Sequence, residues 1–442
     1  MNQSDNIAAP ASAIGGAVTV IRLSGPDVLE IANKVWKGRR QLDESCVRQM
    51  MLGKAAGDPT LAVYMKAPHS YTGDDVVELQ CHGGSAAANA VMQSVLQSGC
   101  RLAEPGEFTF RAFINGKIDL LQAEAVSDII SSGSSAALNL AEKQLAGSLS
   151  SKIGKIWDDI AALRSECESR LDFPDEELDF DENVLPQMEA CRKEISKLLE
   201  SGFAGSVIRD GVRVVLAGKP NAGKSSLLNA ILGFDRAIVS AIPGTTRDTV
   251  ESDAVIRGIP VKLTDTAGLR DSDDPVEKLG IERSFRSIRA GEITLWLLDA
   301  TAENIAEELS AVDFDAPGLI LVWNKCDLLD KTFVYPETDH VQVMLSARTG
   351  ENLPALFDAF EKRLFNGERL ALPEVAVNAR SAGLLEKALE FIARAEAAFA
   401  EGDFELAALE LAGANRNIGG ITGKNVEPDL LDKIFHRFCI GK

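Results

Sequence analysis

The apolar positions of the chain change period along its length. Between residues 17 and 117, short apolar or alternating runs (17–25, 61–66 and 75–81) read as strands. Residues 27–35 and 85–97 carry helical spacing, and Pro68-His69-Ser70-Tyr71-Thr72-Gly73 reads as a loop. From Leu120 to Arg209 the period becomes helical. Leu121, Ala125, Ile129, Leu138, Leu145, Leu149, Ile153, Ile156, Ile160 and Leu163 lie on apolar helical faces. The acidic run 175–182 predicts a solvated turn between helices. Residues 212–229 break this pattern with a strand, a turn and a helix. Further strands are expected at 261–264 and 319–323, and helical spacing returns after about residue 375. The pattern predicts an α+β domain over 1–117, then an all-α domain in two segments, 118–210 and 372–442. An α/β domain, 211–371, is inserted between them.

The inserted segment carries recognisable chemistry. Gly218 to Ser225 has the phosphate-loop spacing of Gly, four residues, Gly-Lys-Ser, after a β-branched strand and before a leucine-rich helix. Its glycines let backbone N–H groups turn toward a polyphosphate, and the helix start adds partial positive charge. Lys224 can reach the terminal phosphates and the Ser225 hydroxyl a Mg²⁺ ion. Gly244-Thr245-Thr246-Arg247-Asp248 offers a threonine to the same metal. Asp265-Thr266-Ala267-Gly268 offers a carboxylate for the metal and the Gly268 N–H for a γ-phosphate. Asn324-Lys325-Cys326-Asp327 follows a strand, and the Asp327 carboxylate suits the N1–H and exocyclic amine of guanine. Adenine lacks that donor pair and would leave the carboxylate unpaired. Ser346-Ala347-Arg348 can bring a backbone N–H to the guanine oxygen. Each motif alone is weak, but in this order they read as a GTPase.

Leu269 stands where small signalling GTPases carry a glutamine that orients water, and an aliphatic side chain cannot do so. Glu277 is the nearest substitute, with Glu282 its competitor on the same expected helix. A solvated helix face accounts for either alone. The Asn221 amide oxygen, with carbonyls near 240–245, could hold a monovalent cation against developing phosphate charge.

Composition narrows the setting. The 442 residues suffice for about three domains, 45% hydrophobic content supports packed cores, and no apolar run is long enough to span a bilayer. The opening residues lack a secretory pattern, and seven cysteines without metal-like spacing suggest a reduced, cytoplasmic protein. A net charge of −20 argues against broad nucleic-acid binding but leaves room for a local basic patch. Two N-terminal stretches, 77–84 and 101–109, gather carboxylates, an imidazole and glycines. They suit a small-molecule site, and surface ion pairs explain them about as well.

Across nearly its whole length the chain resembles the bacterial tRNA-modification GTPase family MnmE, also called TrmE. The resemblance is carried by His69 to Gly73, Glu78 to Gly84, Arg101 to Gly116, Gly218 to Ser225, and the ending Phe438-Cys439-Ile440-Gly441-Lys442. It implies a folate-binding N-terminal domain that forms a homodimer, a helical domain, and a P-loop GTPase domain inserted into it. It also implies a FAD-dependent partner, MnmG, in a heterotetramer or larger complex. Together they install a carboxymethylaminomethyl or aminomethyl group at carbon 5 of the wobble uridine in certain tRNAs, with formyl- or methylene-tetrahydrofolate as cofactor. Carried onto the motifs in place, GTP contacts fall on Asn221, Ala222, Gly223, Lys224, Ser225 and Ser226, and on Ser240, Ala241, Ile242, Pro243, Gly244, Thr245 and Thr246. They continue on Asp265, Thr266, Ala267 and Gly268, on Asn324, Lys325 and Asp327, and on Ser346, Ala347 and Arg348. By the same carry-over K⁺ falls to Asn221, Ser240, Ile242 and Thr245, and Mg²⁺ to Ser225 and Thr246. The water-orienting role falls on Glu277, and folate on Arg22, Glu78, Lys117 and Lys442. Cys439 matches the family's C-terminal cysteine; packing accounts for its segment, and a folate-site or catalytic role is open to it. The family's Pro-Gly-Arg-Gly-Gly segment appears here as Ala13-Ile14-Gly15-Gly16, without its arginine, which bears on pocket closure at that edge.

Two other functions compete. An assembly or ribosome-associated GTPase switch would use the same central motifs, and the flanking domains argue against it. A P-loop kinase is disfavoured by the complete guanine motifs.

Overall fold

Seven strands build the first sheet: β1 (Ile7–Pro10), β2 (Val18–Ser24), β3 (Trp36–Gly38), β4 (Met51–Ala55), β5 (Asp58–Met65), β6 (Val76–His82) and β7 (Arg101–Leu102), in the order β3-β4-β5-β6-β2-β1-β7. They belong to a computed structural model. It describes residues 5–172, 183–234, 251–265, 292–329, 333–365, 367, 373–424, 426, 428–436 and 438–441. The described residues form two compact units, Met1–Ser127 with Gln144–Ile195 and Gly383–Lys442, and Asp128–Lys143 with Ser196–Ala382.

In the first unit, strand alternation sends Ile21, Leu23, Val77, Leu79, Ala62 and Tyr64 to one face. Helices Val28–Val35 and Ser85–Gln97 bury them there. Trp36 is buried over Gly38 and Gly53, where any side chain would strike its ring, and its indole N–H donates to the Thr60 carbonyl at 3.0 Å. On the opposite face helix Glu107–Ile114 lays Phe108 over Ile7 and Ala9. Val18 and Leu52 stay 54% and 68% exposed. Strands of two to five residues, such as β3, β4 and β7, are too short for periodicity to reveal; their partners make them strands.

Helices Ser148–Asp172 and Phe404–Thr422 pack side by side in the same unit, with Lys424 3.7 Å above the Trp157 ring centroid. The C-terminal helix Pro428–Phe435 drives Phe435 edge-on against Phe110 (5.3 Å) and beside Phe113, Phe438, Leu120 and Ala123. Gly106, at φ +70°, must lack a side chain because the Phe435 carbonyl occupies its space.

The second unit holds β8 (Val212–Gly218), β9 (Glu251–Ile256), β10 (Ile259–Asp265), β11 (Ile293–Asp299), β12 (Ile320–Asn324) and β13 (Val341–Met344), in the order β13-β12-β11-β8-β10-β9. All pairs are parallel except β9–β10. Helices Lys224–Phe234 and Leu353–Leu364 cover one face, and Ile305, Leu309 and Phe333 pack on the other. Coverage on both faces explains why β11 and β12 read as continuous apolar runs. Among the described residues no helix is long and apolar enough to cross a membrane.

Candidate functional site

β8 lies between β11 and β10, so the chain leaving its carboxyl end enters the crevice where the strand order runs both ways. Positive φ at Gly218 (+135°), Asn221 (+63°) and Gly223 (+102°) curls the loop so that its N–H groups can converge. The Leu297 carbonyl abuts Gly218 and the Asn324 amide abuts Gly223, so neither position admits a side chain. Lys224 opens the next helix and is 7% exposed. Its ammonium donates to the carbonyls of Gly218 (2.8 Å) and Lys219 (2.9 Å). The Ser225 hydroxyl donates to Asp265, at the end of β10, over 3.3 Å. A hydroxyl and a carboxylate this close fit a Mg²⁺ ion that also takes phosphate oxygens.

The base end is tied to this loop by one buried amide. Asn324 donates from Nδ2 to the Ala222 carbonyl (2.8 Å), and its Oδ1 accepts from the Ala347 N–H (2.9 Å). Lys325 sits at φ +71° with its ammonium 2.5 Å from Asp299. Burial pushes the Asp299 carboxyl up, but Lys325 and Thr301 outweigh it and hold it below the ordinary aspartate range. The Asp299 N–H donates to Glu308 (3.2 Å), whose other oxygen takes Lys219 of the phosphate loop at 2.9 Å. Asp327 keeps little exposure, with the Arg348 guanidinium 3.5 Å away. Ser346 is fully buried, and its hydroxyl accepts from the Thr349 N–H.

In the N-terminal sheet Arg22 and Glu78 face each other across β2 and β6, 2.9 Å apart and about four-fifths buried. The rings of Tyr71 and Phe108 flank the guanidinium at 5.3 and 5.7 Å. Lys117 donates to the Pro68 carbonyl (2.9 Å), so the loop over 68–73 meets both Arg22 and Lys117. A buried Ser24–Thr72 hydroxyl pair and Asn115 to the Thr72 carbonyl pin that loop. Gly441 lies against the Pro10 carbonyl, next in register to the Ala9–Arg22 pair, which brings the C-terminal tail to the same strands. Cys439 is exposed. The Gly15 N–H donates to the Gly83 carbonyl and the Gly83 N–H to the Ala17 carbonyl, so the glycine-rich segment is clipped to the end of β6.

The second polar stretch turns inward instead. Fully buried Glu107 takes Arg101 through both oxygens (2.6 and 2.8 Å) and Arg111 at 3.2 Å, while Asp5 takes the same two arginines. This is an ion-pair lattice that anchors the chain entering β1, so Arg101 and Glu107 serve structure, while Phe108 of the same stretch reaches the Arg22 guanidinium.

Of the residues expected at the sites, Ser240, Ala241, Ile242, Pro243, Gly244, Thr245, Thr246, Thr266, Ala267, Gly268, Glu277, its competitor Glu282, and Lys442 lie outside the described residues, as does the acidic run 175–182.

Comparison with known proteins covers both parts of the chain that carry these residues. Residues 6–117 match the model described as GTP-binding protein TrmE N-terminus, and 120–439 match the MnmE helical domain. A tRNA modification GTPase MnmE from Geotalea uraniireducens is 42% identical over 458 aligned positions, covering 100% of each chain. The chain belongs to the MnmE family of tRNA modification GTPases. The MnmE of Clostridioides difficile is 38% identical over 99% of each chain. Among solved structures, the FeoB G-domain of Methanococcus jannaschii is 23% identical, with a TM-score of 0.26, covering 35% of this chain and 98% of that one.

The structure also brings together groups to which the sequence reading gave no role of their own: Lys219, Asp299 and Glu308 around the phosphate loop, and Tyr71 and Phe108 beside Arg22. Asp299 had a usable signal, since it is a carboxylate that ends the apolar run of a parallel strand. Glu308 had none, because its role depends on where a short helix folds back.

Proposed function

We propose that the chain is a K⁺-dependent GTPase acting with a FAD-dependent partner, MnmG, on the wobble uridine of certain tRNAs. The pair would add a carboxymethylaminomethyl or aminomethyl group at carbon 5, with GTP hydrolysis driving a conformational change. The observation that carries the GTPase reading is the Asn324 amide, which locks phosphate loop and base-recognition turn into one frame. Full-length likeness to relatives named for tRNA modification supports the substrate.

In this reading Lys224 leaves its loop carbonyls for the terminal phosphates, and Asp327 exchanges Arg348 for the guanine donors. Ser225, Asp265 and Thr246 would hold Mg²⁺, which neutralises phosphate charge when bound. Asn221, exposed on the loop with Ser240, Ile242 and Thr245 to join it, would hold K⁺. Glu277 would orient the water. In the N-terminal domain Glu78 offers acceptors suited to the amine and N–H of a pterin, and Arg22, Lys117 and Lys442 suit the carboxylates of a folate. We further propose that the protein forms a homodimer through this domain. We also propose that the protein works in the cytoplasm, and that the domain limits are 1–117, 118–210, 211–371 and 372–442.

The test is GTP hydrolysis in K⁺ and Na⁺ at equal ionic strength, with Glu277→Ala alongside. Nucleoside analysis of tRNA from cells lacking the gene completes it. Acceleration in K⁺, lost in the variant while nucleotide still binds, supports the reading. Equal rates in both salts remove the cation site. Unchanged wobble nucleosides in the deletion cells remove the tRNA substrate.

A further inference from the structure

The outer ribbon of the N-terminal sheet carries a charge pattern opposite to that of the whole chain. Against a net −20, residues 34–54 hold Lys34, Lys37, Arg39, Arg40, Arg48 and Lys54 with only Asp43 and Glu44 opposing them. All six cations are exposed. The nearby carboxylates are already committed: Glu30 to Lys34 (2.8 Å), Glu44 to Lys66 (2.5 Å), Asp58 to His82 (2.7 Å), and Asp43 to the hydroxyl and N–H of Ser45. Among the described residues Lys37, Arg40 and Arg48 donate to neutral acceptors, the Asn33 carbonyl, the Gln49 amide and Met51 sulfur, and the His69 carbonyl. Among the described residues Arg39 and Lys54 pair with no carboxylate.

Register makes this costly. Lys37 and Lys54 are direct cross-strand partners in the β3–β4 ladder, and like charges directly opposite repel. A lysine on an outermost strand protects a sheet edge from pairing with other chains, which accounts for Lys37 on β3. It does not account for Lys54, since β4 is flanked by β3 and β5, nor for Arg39 and Arg40 just beyond. Asp43 lies close enough to Arg40 to feel its charge, but cations outnumber carboxylates here, and such a ribbon is relieved by a polymer of closely spaced phosphates.

We propose that the β3–β4 ribbon, through Lys37, Lys54, Arg39 and Arg40, is a contact surface for the phosphate backbone of tRNA. This rests on the tRNA reading above and locates an RNA contact on an otherwise acidic protein. The contacts are to backbone and carry no base specificity.

The test uses the full-length protein and a fluorescein-labelled tRNA transcript, with binding followed by anisotropy between about 50 and 200 mM salt. Lys37→Gln/Lys54→Gln and Arg39→Gln/Arg40→Gln should each weaken binding about tenfold near 100 mM and flatten the slope of log affinity against log salt by about 1.5. Intrinsic GTP hydrolysis should not change, and the unfolding midpoint of the lysine pair should stay level or rise as repulsion is removed. Wild-type affinity and slope in both double variants overturn the ribbon while leaving the tRNA reading intact. A wild-type protein that binds phosphatidylserine vesicles but not tRNA overturns it as well. The tRNA substrate itself stands or falls on the nucleoside analysis of deletion cells, which does not depend on this surface.

Discussion

The nucleotide site and the N-terminal pocket solve the same problem by opposite means. At the nucleotide, functional side chains leave the ends of parallel strands and are oriented by backbone groups: Lys224 by two carbonyls, Asn324 by a carbonyl and an N–H. In the N-terminal domain, side chains orient one another, mostly over long sequence separations: Arg22 by Glu78, Tyr71 by Thr109, and Arg111 by Asp5, with Glu107 one helical turn before Arg111 joining them. Backbone-held groups can let go of a carbonyl and take a phosphate at little cost. Side-chain lattices hold their shape only while every charge is present, because removing one member strands its buried partners. The first arrangement suits a site that turns over, and the second a rigid cradle.

The sharpest way to break this contrast is Glu107→Ala. Both oxygens of Glu107 serve arginines, and Arg111 is 2% exposed, so the variant leaves a buried guanidinium with fewer partners. Breaking a buried pair in this way costs about 3–5 kcal/mol. Hydrogen exchange at β1 and β2 should accelerate accordingly, while GTP affinity stays near wild type. A β1 as protected as before would mean that the lattice is ornamental. The same group sets an acid limit. Burial alone would raise the Glu107 carboxyl, but Arg101, the Glu104 N–H and Arg111 hold it below the ordinary glutamate range. A folded value below the unfolded one contributes stability that is present above the ordinary range and lost as pH falls through the depressed value. Asp74 acts in the opposite sense, its carboxyl raised by burial despite Arg111 and Asn115. Glu107→Gln should therefore flatten the acid limb of β1 and β2 exchange.

This difference also explains what the sequence could tell. Motifs at strand ends are contiguous, so the phosphate loop, Asp265 and Asn324 to Asp327 were legible as a GTPase site from spacing alone. The Arg22–Glu78 pair is separated by 56 residues and exists only through register, so periodicity cannot find it. Residues 101–109 looked as much like a ligand site as like an ion-pair surface, because burial of Glu107 is a property of packing and not of composition. The resemblance to a family supplied Arg22, Glu78 and Lys117. It did not supply Tyr71 or Phe108, whose contact with Arg22 needs the loop over 68–73 in place.

A smaller loss is expected at Asn324. Replacing it by alanine orphans the Ala222 carbonyl and the Ala347 N–H, both in buried residues, at about 2 kcal/mol. Both GTP and GDP should bind about 30-fold more weakly by fluorescence titration, since the tie serves the frame shared by both nucleotides. If only GTP suffers, Asn324 acts on the terminal phosphate and the frame argument is wrong. Little change in global stability is expected beyond the nucleotide domain, in contrast to Glu107.

The weakest test probes a place where the nucleotide domain uses a linked set of side chains of its own. Glu308 is 9% exposed and joins Lys219 of the phosphate loop to the Asp299 N–H, and Asp299 in turn holds Lys325 beside the base. Glu308→Gln keeps an acceptor for the Asp299 N–H but loses the negative charge that faces the Lys219 ammonium, a change of about 1 kcal/mol or less for a pair that is partly exposed. GDP release, followed with a fluorescent analogue by stopped flow, should quicken about threefold. Lys219→Met should give the same change, and the double variant should add nothing further. Independent, additive effects would mean that Glu308 merely caps its own neighbourhood. Non-additivity would place a small rigid brace inside a site otherwise held by backbone, linking the phosphate end to the base end where release must be timed.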